Sequence, residues 1–457
     1  MDEAPSLKLP ANLLFVAEQL SGYNRNRFRI EPTSATEATA GRIITINLPE
    51  NALIDMNSIR YHFDVDAGHN GNTVGLLPEF ADAFISNLEV YINGIQVQQS
   101  SQDYNMIAHT LRLGGWNQDC QQSKGRLVNH AQIYGDKAVA HAFGATTGVG
   151  EIASLVIDQW AGFLNQVSTR FLPTSLLGQI QIRITLAPDA VLSGCSAANT
   201  AVDLSAADVA TPPSYKLTNM YFTVDSIVVP DAYNQLLRNQ LSSSVLPLNY
   251  NEYYTFNSPN AAGATLSNRF NLASGCIDKI MAVNRANDYN VFGEAIDLST
   301  KATLTSPLDA RGNKLVGKYF ASYSNKLQTE RDSEDGTLRY NFNVNNVQYP
   351  QYEARNSDAM ADVAYTCDKV GMKTEGHLIS SPTAFCRGQA LYTLQLNHPG
   401  MGLRCQSGYN SRGINSTFGF TMKGLEPGAG TNKESLVIVT TTAQMRISAG
   451  RSLTISF

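Results

Sequence analysis

Residues 180–186 read Ile180-Gln181-Ile182-Arg183-Ile184-Thr185-Leu186, an apolar side chain at every second position with polar ones between. Period two is the repeat of a strand that lays one face on a core and turns the other to water. The same phrase recurs upstream. Ile44, Ile46 and Leu48 alternate with Thr45 and Asn47, and Tyr61, Phe63 and Val65 alternate with His62, Asp64 and Asp66. Leu88, Val90 and Ile92 alternate with Glu89, Tyr91 and Asn93, and Ile95 and Val97 resume after Gly94. An Asn-Gly pair between two such runs is a hairpin turn, because both residues accept positive φ. Downstream, Tyr254 and Phe256, Ile280 and Ala282, Leu338 to Val344, Leu394 and Leu396, Phe418 and Phe420, Leu436 to Val439, and Leu453, Ile455 and Phe457 continue the style.

Three helical stretches interrupt the strands. Residues 10–20 form a short apolar helix started by Asn12, with Leu13, Val16 and Leu20 on one face flanked by Phe15. Asp103 caps a second, with Tyr104, Ile107 and Leu111 on one face and Gly114-Gly115 as its stop. A third begins at Pro230-Asp231 and carries Tyr233, Leu236, Leu237 and Leu241 at mid-chain, as a bridge between two strand-rich halves. Long loops are expected at 114–150, 190–213, 257–275 and 285–335. Loops of that length need a function of their own.

The chain has 457 residues, 34 Lys and Arg against 39 Asp and Glu, and a net charge of −5, which argues against strong general nucleic-acid binding. Only 16% of residues are charged, against about 25% in an average soluble domain, so much of the surface is neutral or covered by other subunits. Six cysteines, at 120, 195, 276, 367, 386 and 405, contain no C-x-x-C pair and read as reduced buried thiols. The acidic start Met1-Asp2-Glu3-Ala4-Pro5 lacks signal-peptide character, and no apolar run is long enough to span a membrane. The expectation is a soluble protein kept in a reducing compartment.

Motifs for chemistry are scarce. His62, Asp64 and Asp66 share one strand face, with His69 a turn later, but Gly68 and the lack of a closing Glu spoil a calcium loop. The polar face of a strand is the plainer reading. The glycine-rich stretches at 144–150 and 424–430 are not followed by Lys-Ser or Lys-Thr and carry no phosphate-loop signature. No H-E-x-x-H or G-x-S-x-G occurs, and the charged run Glu330 to Asp335 reads as a solvated hairpin approach. No catalytic, cofactor or metal residue is assigned, and the chain is expected not to be an enzyme.

One series of stretches carries a specific resemblance. Leu77-Pro78-Glu79-Phe80-Ala81-Asp82-Ala83-Phe84 leads into Ile85-Ser86-Asn87-Leu88-Glu89-Val90-Tyr91-Ile92-Asn93-Gly94. Phe171-Leu172-Pro173-Thr174-Ser175-Leu176-Leu177-Gly178 then leads into residues 179–188, and Tyr215 to Asp225 precedes the mid-chain helix. Over residues 40–245 the series resembles the double jelly-roll major capsid proteins of double-stranded DNA viruses, in particular those of polinton-like viruses and virophages within the adenovirus–tectivirus lineage. The resemblance implies an all-β fold of two consecutive eight-stranded antiparallel jelly rolls, with a short N-terminal helix and a linker helix. It divides the chain into an inner arm (1–24), a first jelly roll (25–229), a linker helix (230–244) and a second jelly roll (245–457). It implies a homotrimeric, pseudo-hexameric capsomer in an icosahedral shell around a double-stranded DNA genome, assembled inside the host cell. Implied partners are neighbouring capsomers, penton and minor capsid proteins and an inner lipid membrane, with Leu13, Phe15, Val16 and Leu20 as the inner-shell or inter-capsomer contact. A jelly roll that binds carbohydrate or a receptor is the alternative, as is a hydrolase on a paired jelly-roll scaffold.

Overall fold

The computed structural model describes residues 24–115 (without 51, 68, 71, 72 and 79), 152–196, 212–228, 235–236, 239, 245–297 (without 261–264), 315–324, 338–367, 385, 388–398, 403, 406–424 (without 414–415), 433–448 and 452–457. The predicted N-terminal helix therefore lies outside the described residues. So does most of the predicted linker, of which 235, 236 and 239 are described and helical.

The first half folds as two antiparallel sheets face to face. In one, the long strand Tyr215–Val228 runs between Arg60–Ala67 and the pieces Asn24–Ile30 and Ala38–Thr39, and Ile152–Ile157 closes the far side of Arg60–Ala67. In the other, Ile43–Asn47, Ile180–Leu186, Ile85–Ile92 and Ile95–Ser101 lie in that spatial order. Counted along the chain, the principal strands run first, eighth, third and sixth in one sheet, and second, seventh, fourth and fifth in the other. That order is a jelly roll, in which successive strands cross from one sheet to its partner.

The second half repeats it. Leu246–Asn260, Lys433–Ser448, Ile277–Ala286 and Tyr392–Gln395 form one sheet, and Thr265–Asn271, Thr417–Lys423, Arg339–Val344 and Val347–Ala354 the other. A last strand, Ser452–Ser456, folds back on Lys433–Ser448. Both halves join their fourth and fifth strands by a two-residue turn with positive φ, Asn93-Gly94 in one and Asn345-Asn346 in the other. Both follow the fifth strand with a helix, Tyr104–Gly115 and Asn356–Cys367, and the two helices pack on each other.

The alternating residues fill the cores. Ile180, Ile182, Ile184 and Leu186 are buried and meet Ile44, Ile46, Leu88, Val90 and Ile92 on neighbouring strands. Tyr61, Phe63 and Phe222 face them from the opposing sheet, with Tyr61 and Phe222 stacked at 4.7 Å. In the second half Leu436 to Val439 is buried without alternation, as a central strand covered on both faces requires.

Several expectations are corrected. The loop predicted over 257–275 is occupied by the end of Leu246–Asn260 and by Thr265–Asn271, and that over 285–335 contains Gly293–Asp297 and Leu315–Gly317. Ile95, whose alternation with Val97 predicts a core-facing side chain, is exposed, and so is Leu236 of the mid-chain helix. Asp103 sits at φ +60° and caps with its backbone rather than its side chain: its carbonyl accepts from the Met106 and Ile107 amides, while its carboxylate accepts from Arg285 and Asn257.

Candidate functional site

The residues singled out for chemistry are spent on the sheet itself. The His62 ring stacks on Tyr221 at 4.6 Å, and its Nε2 lies 3.1 Å from Thr223 Oγ1. Partial burial, then Arg60, Arg27 and Arg29, hold its pKa below the usual histidine value. Asp64 accepts from Ser154 Oγ at 2.6 Å and from Asn219 Nδ2 at 3.1 Å. Among the described residues no group of three or more His, Cys, Asp and Glu side chains is placed to hold a metal ion. Cys276 is a free, buried thiol, pushed up to about 11 by burial and then by Asp278. Leu13, Phe15, Val16 and Leu20, and the charged run 330–335, lie outside the described residues.

The geometry instead brings together a seam between the two jelly rolls. The strand Leu246–Asn260 opens the second half and runs along the end of Ile95–Ser101 and the segment 163–168 of the first. Tyr250 is buried, donates to the Val97 carbonyl at 2.8 Å and meets Phe163 edge-on at 5.3 Å. Backbone bonds Ser168 N–H to Asn249 O (2.7 Å) and Asn251 N–H to Gln166 O (3.0 Å) extend the contact, and Tyr253 donates to Gln166 Oε1 at 2.6 Å.

At one end of the seam stands Arg285, whose side chain is 0% exposed. It reaches Asp103 of the first half at 3.2 Å and Glu434 of the second at 2.9 Å, and its guanidinium carbon lies 3.8 Å from the centre of the Tyr289 ring. Burial works against the charge, but Asp103 and Glu434 outweigh it and hold the group above its ordinary value. A buried cation with two carboxylates from different halves fixes their relative placement, since parting them would strand a charge in a dry site. Beside it, His109 of the first helix packs between Phe80 and Phe320, its ring 5.5 and 5.2 Å from theirs.

A second junction is a small sheet built from loops. His69–Asn70, Thr73–Leu76 and Ser193–Ser196 come from the first half, and Gly293–Asp297 and Leu315–Gly317 from the second. Ser193 and Gly194 pair in parallel with Gly293 and Glu294, so the loops of both halves share one set of backbone bonds. A Cβ on Gly317 would stand 2.6 Å from Ser193 Oγ, so a larger residue there would have to push that hydroxyl aside.

Two sheet edges carry exposed apolar side chains. Val347–Ala354 is an edge strand with Val347, Tyr349 and Tyr352 exposed, and Ile43 is exposed at the edge of the corresponding first-half sheet. Uncovered edges carrying apolar side chains are sites at which chains pair.

No family model matches the chain, and no curated protein matches it. Solved structures do. The crystal structure of PBCV-1 VP54 fitted into a reconstruction of the virophage Sputnik superimposes with a TM-score of 0.59 at 13% identity, covering 95% of this chain and 97% of that one. The cryo-EM structure of the Sputnik virophage gives 0.52 at 11% identity, covering 96% and 88%. The Faustovirus major capsid protein gives 0.52 at 8% identity, covering 93% and 91%. At these identities the likeness is one of fold, and it extends over both jelly rolls.

Proposed function

We propose that this double jelly-roll chain is a major capsid protein that builds the shell of a double-stranded DNA virus. The observation that carries the reading is the pairing of two complete jelly rolls, locked by the Arg285 seam and the shared loop sheet, in a fold whose solved examples include a virophage and the Faustovirus major capsid protein. Three copies, each contributing two barrels, form a block of six barrels that tiles as a hexagon. The exposed edges at Ile43 and at Val347, Tyr349 and Tyr352 are the surfaces such a block would cover. Low charge suits a protein whose sides are buried against neighbours. Neighbouring capsomers, a penton protein and minor capsid proteins are its partners, and the virion is its place.

In this reading residues 1–24 are an inner arm, 25–229 and 245–457 are the jelly rolls and 230–244 joins them. Leu13, Phe15, Val16 and Leu20 form the apolar stripe by which the arm grips the inner side of the shell. Deleting residues 1–22 then leaves trimers folded and impairs closure of shells; a lowered melting temperature with assembly intact would place the arm on its own jelly roll. Light scattering of the purified protein at micromolar concentration tests the capsomer itself. A stable mass three times that of the chain is expected, and a stable monomer contradicts the reading.

A further inference from the structure

The outer face of the first sheet carries an array of exposed arginines. Arg25, Arg27 and Arg29 project from the strand Asn24–Ile30 at alternate positions, with side chains 57%, 59% and 55% exposed. Two positions along a strand span about 6.8 Å. In register, Arg27 lies opposite Asp225 and Arg29 opposite Thr223, and Thr223 in turn faces Arg60 on the next strand. Arg170, 59% exposed, joins the array from the segment before Phe171.

The acids among them are anchors more than neutralisers. Asp225 is buried and takes Arg27 through Nε (2.7 Å) and Nη2 (3.2 Å) and Arg25 through Nη2 (2.5 Å). Asp55 is also buried and takes Arg170 through Nε (3.3 Å) and Nη2 (3.0 Å). The anchors are tied together: the Asp225 amide donates to Ser58 Oγ at 2.8 Å, and that hydroxyl donates to the Asp55 carbonyl at 2.6 Å. A guanidinium has five N–H donors, and these contacts engage only one edge of it. Held by these buried acids, Arg25, Arg27 and Arg170 remain more than half exposed, with part of their rotamer freedom already lost. Arg29 is steadied differently: it lies 4.1 Å over the Tyr221 ring, which is itself stacked on His62, and its Nη2 stands 3.5 Å from the exposed carboxylate of Glu31.

We propose that this face binds the phosphodiester backbone of nucleic acid without regard to sequence. A row of pre-oriented guanidinium forks suits phosphate oxygens, and its spacing of about 6.8 Å is twice the ~3.4 Å rise between phosphates on one strand of duplex DNA. The aliphatic side chains on this face, Ile227 opposite Arg25 and Leu53 beyond it, are half-buried, while Thr223, Tyr221 and His62 among the arginines offer polar and flat aromatic surface. The net charge of −5 keeps each copy a weak binder, and many copies side by side multiply a weak contact. The site stands on this face alone and is testable on unassembled protein, so its failure and that of the capsid reading are separate outcomes.

The test is fluorescence anisotropy of a labelled DNA duplex titrated with the full chain over a range of salt. The logarithm of the affinity should fall with the logarithm of salt with a slope of about −3, for three to four phosphate contacts. The double variant Arg29→Gln/Arg60→Gln leaves both buried acids with their partners, so its melting temperature should be unchanged. It should reduce the slope by about two and weaken binding at low salt at least roughly fivefold. Arg183→Gln/Arg446→Gln, on other sheets, should change neither. Absence of binding at low salt, or equal loss in both double variants, overturns the proposal. Arginine-dependent binding to phosphatidylserine vesicles with none to DNA overturns it in favour of a lipid surface.

Discussion

Replacing Arg285 by Met removes a buried charge that the two jelly rolls share at their seam while keeping most of the side chain's bulk. The guanidinium is 0% exposed, and its two carboxylates retain 12% and 13% exposure, so their solvation is partial. Breaking a buried ion pair by deleting one partner costs about 3–5 kcal/mol, because the remaining charge stays buried. The residual exposure of Asp103 and Glu434 and the amide that Asn257 donates to Asp103 at 3.2 Å place the loss at the lower end, about 3 kcal/mol. Loss of the 3.8 Å contact with the Tyr289 ring adds about 1 kcal/mol. Urea unfolding of the purified protein, followed by fluorescence and by circular dichroism, reads this directly. Adding Asp103→Asn and Glu434→Gln to Arg285→Met should recover most of the loss, since neutral amides in place of the acids remove the stranded charges. A loss below about 1 kcal/mol for Arg285→Met, or no recovery in the triple variant, would refute the idea that a charge triad joins the halves.

Two further outcomes follow from local geometry. A Cβ on Gly408 would lie 2.3 Å from the Ile277 carbonyl oxygen, a backbone atom that cannot swing aside, so Gly408→Ala should cost about 1–3 kcal/mol or more in the same unfolding assay, whereas Gly413→Ala, with open space around it, should show only the smaller cost of its positive φ. Asp225 is held below the usual carboxylate pKa by Arg27 first, against the opposing effect of burial, with help from Arg25. Its contribution to stability is therefore complete above the unfolded value of about 3.9 and is lost as pH falls through the lower folded value. Melting temperature should accordingly drop on acidification below about pH 4, and the drop should be smaller in Asp225→Asn.

The fold was legible where one face of a strand is wet and the other dry. Ile180 to Leu186 and Tyr61 to Val65 alternate because they line single-sided sheets, and their burial follows their sequence. Alternation fails where burial has another cause. In Leu246–Asn260, Tyr250 and Tyr253 are both buried, since the first jelly roll covers part of the strand that its own core does not. Val347–Ala354 was missed for the opposite reason: as an edge strand carrying Pro350 it is exposed along nearly its whole length. Asn24–Ile30, with alternating arginines and little apolar content, hid for the same reason. The seam was illegible because its partners are distant in the chain, Arg285 and Asp103 being 182 residues apart, and because Asp103 before a helix reads as a cap. The Asn345-Asn346 turn did carry a signal, being a pair tolerant of positive φ between two strands.

The central claim, that this chain is built to assemble into a shell, is most directly tested by electron microscopy of the purified, untagged protein in negative stain. The account predicts uniform blocks of three chains with a six-lobed outline, each lobe one jelly roll, and patches or closed shells of such blocks as concentration rises. A field of separate two-lobed particles at every concentration, with no block and no lattice, would contradict it.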